Sequence, residues 1–214
     1  MTDVYQREAL SKASWVIAGV LVAWFTLVFV LGASGAFVTP PGTPPIPIAI
    51  GITAPIIIFL LAFRASRTFR DFVLTADLRL CTGIQAWRFA GLGFLALYAQ
   101  GALPGLFAWP AGLGDIAIGL TAPWVTLALI RRESFRFSTV FLVWNLLGIL
   151  DLIVAVTTGV LSSGLAVAIA GAITTAPMAR LPLVLIPAYL VPLFVMLHLR
   201  LLQNLLEMKA GMGR

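Results

Sequence analysis

"PAGLGDIAIGLTAP", residues 110–123, opens a stretch that meets no further charge after Asp115 until Arg131, and its last eight residues match "IAIGITAP" at 48–55 in seven of eight places. An α-helix rises 1.5 Å per residue, so about 20 apolar residues cross the hydrocarbon core of a bilayer. The stretch at 113–130 therefore reads as a membrane-spanning helix. Comparable apolar runs occupy 15–38, 46–63, 86–103, 138–160 and 181–202. The composition agrees. The chain of 214 residues is 61% hydrophobic and 10% charged, against about 25% charged in an ordinary soluble domain. Backbone amides in lipid must be paired internally, which excludes a few open strands. The expected fold is an all-α integral membrane protein of six transmembrane helices, forming a single polytopic domain over 1–214.

Arginine and lysine decide the orientation, because they collect on the cytoplasmic side. Arg7 and Lys12 precede the first span; Arg64, Arg67, Arg70, Arg79 and Arg88 lie between or just inside the second and third; Arg131, Arg132 and Arg136 separate the fourth and fifth; Arg200, Lys209 and Arg214 close the chain. The opposite side keeps only Arg180. Both termini are thus expected in the cytoplasm, and the net charge of +6 is a topology signal. The arginines are spread over separate short loops, so no nucleic-acid partner is implied. The first span is longer than the usual hydrophobic core of a cleaved signal peptide, about 7 to 15 residues, and reads as a retained anchor. The excess of arginine over lysine hints at a GC-rich bacterial genome, and hence at the inner membrane.

Two connections have character of their own. Residues 64–85 contain "RASRTFRDFVLTADLRL", with Phe69, Phe72, Val73 and Leu80 on one side and arginines on the other. This is the pattern of an amphipathic helix on the cytoplasmic membrane surface, or of a docking site for a soluble partner. Residues 161–180 are too short to span, and a seventh span would put the basic C-terminus outside, so they read as re-entrant or interfacial.

The repeated octapeptide lies in two spans that both run from outside to inside. The opposite spans share "WVIAG" at 15–19, "WRFAG" at 87–91 and "WNLLG" at 144–148. Three related helical hairpins are therefore expected, an arrangement that transporters use without being alone in it. In that alignment Asp115 corresponds to Pro47 and Asp151 to Phe94, so the repeat itself requires neither acid.

An ionisable group at bilayer depth costs roughly 2.5 to 3.5 kcal/mol on insertion scales and is a functional candidate by default. Asp115 is read within the first turn of its span, where helix N-terminal amides would ease its charge. Asp151 lies thirteen residues beyond Ser138, about 20 Å into its span. It needs a partner, and the only basic residue expected on that side is Arg180. Helical spacing puts Asp115, Gly119, Ala122 and Thr126 on one stripe, and Gly148, Asp151, Ala155, Thr158 and Ser162 on another. The substrate- or proton-binding candidates are Asp115, Asp151, Gln100, Arg180, Thr158 and Asn145, joined by Thr174 and Thr175 in an outward-facing polar pocket. Asn145 can equally be interhelical glue. His198, the only histidine, reads as an interfacial residue beside Arg200. One histidine and one cysteine, Cys81, allow no bis-histidine haem, multi-histidine metal site or intrachain disulfide, so no cofactor is expected.

"GLGD" at 112–115 resembles the GxGD motif of intramembrane aspartyl proteases, the presenilin, signal-peptide-peptidase and prepilin-peptidase group, and "PAYL" at 187–190 resembles part of their PAL motif. The resemblance implies a second aspartate at the same depth, sharing a proton and activating water. Those families carry that partner upstream. Here Asp77 is upstream but on the cytoplasmic side, while Asp151 is downstream. Three classes follow: an ion-coupled small-solute transporter or solute-binding protein, a noncatalytic subunit of a membrane complex, and a membrane-embedded enzyme. Without a Walker motif, a nucleotide fingerprint or a large soluble domain, coupling falls to an ion gradient, and the two acids favour protons. The expected partners are the lipid bilayer, a small solute or proton, and a membrane-protein partner or second copy.

Overall fold

The computed structural model describes residues 2–40, 42–163 and 173–211, with side chains described between 15 and 202. The elements are α1 (Thr2–Ala33), α2 (Ile46–Ala65), α3 (Arg67–Thr75), the rod α4 (Leu78–Ala99), α5 (Gly105–Arg131), α6 (Thr139–Leu161) and α7 (Val191–Gly211). A π-helical turn at Ile186–Leu190 leads directly into α7, and short 3₁₀ turns occupy Glu133–Phe137 and Ala176–Ala179. No strand occurs among the described residues. Among the described residues, five helices are long and apolar enough to cross a membrane: the 15–33 part of α1, α2, α4, α5 and α6, with a shorter apolar helix at Ile186–Leu202. The large apolar side chains they turn outward include Trp15, Trp87 and Trp124, which are 77%, 78% and 66% exposed. That surface is compatible with lipid.

The helix ends follow from local chemistry. α1 and α4 both stop in a Schellman motif, with Gly35 and Gly101 at positive φ of 75° and 70°. The amides of Ala36 and Ala102 bond the carbonyls of Leu31 and Leu97, a closure that glycine permits without steric cost. At the opposite, arginine-rich end, Ser66 caps α3 by accepting from the Phe69 amide at 3.2 Å, and Asp77 caps α4 by accepting from the Arg79 amide at 2.8 Å. These two caps divide the connection expected as one amphipathic segment over 64–85. Only Arg67–Thr75 forms a separate helix, and the chain from Leu78 onward already belongs to α4. Nor does α3 present its apolar face to a free surface: Val73 is buried and Phe69 sits edge-on against Phe59 of α2, 5.7 Å between ring centroids. Of the segment 161–180, residues 164–172 lie outside the described residues; Thr175 returns to the end of α6, its amide donating to Ser162 and its hydroxyl to Gly159.

α5 is the central helix. It packs along the length of α4 and against α6, while α7 lies between α6 and α2, and α1 touches the rest chiefly through the 186–190 turn. Around α5, Cys81, Val125, Phe141 and Leu201 cluster towards the arginine-rich end, and Phe94, Phe107 and Met178 towards the other. In lipid such contacts hold helices by close packing more than by exclusion of water.

The repeated octapeptide gives each copy the same local helix: Pro55 and Pro123 sit inside α2 and α5, and each removes the hydrogen bond to the glycine carbonyl four residues back. The neighbours differ. A Cβ on Gly51 would face Ala188 and Phe37, whereas one on Gly119 would run into the backbone of Arg88 and Phe89. The expected equivalence of hairpins therefore does not extend to their packing. A second difference concerns Asp115: α5 begins at Gly105, and Pro110 lies within the helix without ending it. Asp115 is ten residues in, about 15 Å from the start, and not in a first turn where free amides would cap it.

Candidate functional site

Between Gln85 and Gly91 the α4 rod tightens into a 3₁₀ helix, where residues three apart eclipse one another. Gln85, Arg88 and Gly91 consequently fall on one line, all buried, while Trp87 and Phe89 point outward. Thr82, one turn earlier, is buried as well. Gly119 on α5 supplies the room, its missing Cβ leaving space for the Arg88–Phe89 backbone. Close approach of α5 to this segment puts the Arg88 side chain inside the bundle, with its side chain 0% exposed.

The guanidinium is held on several sides. Nε donates to Asp115 Oδ1 at 2.7 Å, Nη2 donates to Asp151 Oδ2, and Nη1 donates to the Gly148 carbonyl at 3.2 Å and to His198 Nε2 at 3.2 Å. Phe194 lies under it, with the Arg88 Cζ 5.9 Å from the ring centre. Because arginine only donates, His198 Nε2 must accept. The proton then sits on Nδ1, which lies 3.0 Å from Asn145 Oδ1, while Asn145 Nδ2 donates to the Phe141 carbonyl at 2.8 Å. The directions are consistent only with a neutral Nδ1–H histidine. Gly148 makes the arrangement sterically feasible, since a Cβ there would fall on the His198 ring; one on Gly114 would fall on the Asp151 carboxylate. The glycines of "GLGD" and "WNLLG" are thus openings into which charged and polar side chains fit.

Two carboxylates share one guanidinium, and the neutral histidine adds nothing, so the fully ionised cluster carries one excess negative charge. Asp115 binds Arg88 through Oδ1 alone, and its Oδ2 accepts no hydrogen bond among the described residues. That carboxylate lines a cavity of about 1,050 Å³ that lies between α2, α5, α6 and the 174–191 segment and reaches the proline-rich end at residues 37–45. The cavity wall is mainly apolar, with Phe37, Ile52, Phe94, Phe107 and Leu152 among its residues, and Arg180, Thr174 and Thr175 belong to it.

The structure brings Asp115, Asp151 and Asn145 into one connected polar network through Arg88 and His198, and puts Arg180 with Asp115 on the wall of one cavity. Gln100 stands apart: it is exposed at the C-terminal end of α4. Thr158 is half-buried and turns its hydroxyl back to the Val154 carbonyl at 2.8 Å. The partner of Asp151 is Arg88 and not Arg180, which is exposed. His198, expected at an interface beside Arg200, is 0% exposed, and Arg200 is itself buried, donating to the carbonyls of Leu74 and Ala76. By sequence Arg88 is one of the cytoplasmic topology arginines, between or just inside the second and third spans, with no site role. The available signal was its position two residues inside an apolar run, three after Gln85 and between two aromatic residues.

Residues 45–206, well over half of the chain, match the family described as Domain of unknown function (DUF8737), and the chain belongs to it. The match covers α2 to α6, most of α7 and every member of the Arg88 cluster. No curated protein and no solved structure matches the chain.

Proposed function

We propose that this member of the family is a bacterial inner-membrane carrier that moves a small solute against an ion, the proton, with the cavity above Asp115 as its outward-facing binding site. One observation carries the reading: the carboxylate at the cavity wall is the same one that Arg88 shares with Asp151. A solute entering the cavity therefore meets a group whose charge depends on its partners. Under the positive-inside rule the arginine-rich end is cytoplasmic, the proline-rich end faces out, and the 186–202 helix completes six crossings with both termini inside. One bound proton neutralises the excess negative charge at a depth where a bare charge is costly. The 3₁₀ segment that carries Arg88 is an element able to change its winding, which links occupancy of the cavity to the spacing of α4 and α5.

The resemblance to GxGD proteases supports an enzyme less well. A water-activating dyad shares a proton between its two acids, whereas here a guanidinium holds one oxygen of each.

Ala155, half-buried and on the cavity wall, provides the test. In a Cys81→Ala background, Ala155→Cys is expected to react with a membrane-impermeant maleimide in right-side-out vesicles and, in a second population, in inside-out vesicles. Labelling from the outside alone would make the cavity a fixed binding pocket and sink the carrier reading. Labelling from the cytoplasmic side alone would contradict the orientation.

A further inference from the structure

We infer that the solute is an organic cation with an apolar body, an alkyl or aryl amine or onium ion, and that it and a proton compete for the excess negative charge on the Asp115–Asp151 pair. The inference rests on the proposed function for transport, while binding can be examined separately.

Three observations converge on this class. The first is the wall: at about 1,050 Å³ the cavity is slightly larger than the range of about 300–1,000 Å³ typical of small-molecule pockets, and its apolar lining calls for an apolar body. The second is the charge at its wall, where Asp115 of α5 is a lining residue. Behind it stand Arg88 from α4, Asp151 from α6 and, beyond the guanidinium, the neutral His198 from α7. The lining contributed by α2, including Ile48, Ile52 and Thr53, bears no charge. Summed over these groups, the ionised cluster is one unit negative, and Asp115 keeps an oxygen, Oδ2, that is unbonded among the described residues and open to a donor. An anion would meet that oxygen as a repulsion, and a neutral solute would leave the excess charge without a counterion at depth. The third is aromatic: Phe37, Phe94 and Phe107 all line the cavity, and ring faces attract a cation carrying little hydration. Arg180 is the countervailing charge, but it is exposed, so that its head can stay in the solvated interface.

The exchange balances. When the cation docks, the carboxyl gives up its proton to water, and one positive charge replaces another. Neither bond redox state nor net charge in the cluster changes.

Tetraphenylphosphonium and tetraphenylborate, nearly identical in shape and opposite in charge, separate the electrostatic from the apolar contribution. Calorimetric titration of the full chain in lipid nanodiscs is expected to give saturable phosphonium binding that tightens as pH rises. Titrations in buffers of different ionisation enthalpy should count about one proton released per cation. Asp115→Asn should weaken binding by about tenfold or more, corresponding to at least about 1.4 kcal/mol, and Asp115→Glu should retain it. Ile52→Trp, which narrows the cavity and leaves the acids untouched, should weaken it. The borate should show only non-saturable partition, equal in wild type and variants. Saturable borate binding, phosphonium binding indifferent to Asp115→Asn in a monodisperse preparation, or no saturable binding of either probe would overturn the inference. If the phosphonium binds as expected but Ala155→Cys labels from one side only, the cation site stands and the carrier reading fails. If the cysteine labels from both sides and the phosphonium does not bind, the reverse holds.

Discussion

Arg88→Leu is expected to be the most damaging single substitution in the chain, destabilising the folded state by about 3 to 5 kcal/mol, because it leaves Asp115 and Asp151 buried without their cation. The side chain also fills space between α4, α5 and α6, and leucine restores only part of that volume. Charge, not volume, dominates the expected effect, so the triple variant Arg88→Leu, Asp115→Asn, Asp151→Asn should recover much of the loss. Arg88→Lys should fall between, since a compact ammonium cannot span two carboxylates, a carbonyl and an imidazole as the planar guanidinium does. Thermal melts followed by gel filtration in a mild detergent rank the four proteins. A single Arg88→Leu variant as stable as wild type, or a triple variant no better than the single one, would show that the ion pairs do not hold these helices together.

The second large effect concerns the repeated octapeptide. Gly119→Ala should cost about 1 to 3 kcal/mol, the usual range for forcing an extra group into a packed interior, because the new Cβ meets backbone of the 3₁₀ segment, which cannot rotate away. Its counterpart Gly51→Ala places a Cβ at 3.2 Å from Ala188 Cβ and a Phe37 ring carbon, contacts that a small shift relieves, and should cost less than about 1 kcal/mol. Melts of both variants in the same detergent give the comparison. Equal losses would mean that the two copies share a packing role after all.

That contrast also shows where sequence was a sufficient guide. Long uncharged stretches announce apolar helices through length alone, and the small-residue stripes around Asp115 and Asp151 announce which faces turn inward. Helix–helix register is not written locally. The octapeptides "IAIGITAP" and "IAIGLTAP" are almost identical, yet one faces the turn before α7 and the other a 3₁₀ segment of α4, because packing depends on what arrives from elsewhere in the chain. Arg88 was misjudged for the same reason. Counting arginines by loop assigns a charge near a span end to the interface, where its long side chain normally reaches water. Only the 3₁₀ winding, which stacks Arg88 on Gln85 and Gly91, turns it towards α5 instead. Asp151, in turn, reads as an acid whose only available cation is Arg180, although the cation that satisfies it comes from the middle of α4. His198 passed as an interfacial residue because the space that admits it is created by Gly148, on another helix.

If the Arg88 cluster holds an exchangeable positive charge besides the guanidinium, infrared spectroscopy reads it directly. Of the eight acidic residues, only Asp115 and Asp151 belong to this cluster, so a carboxylic-acid C=O stretch from purified protein in lipid at neutral pH identifies a proton held there. Wild type is expected to show one such band, absent from Asp115→Asn or from Asp151→Asn, and lost from wild type when tetraphenylphosphonium is added. If wild type shows no carboxylic-acid band until the pH is low enough to unfold it, both acids remain ionised on Arg88, the cluster is a structural pin, and the proton-linked account is wrong.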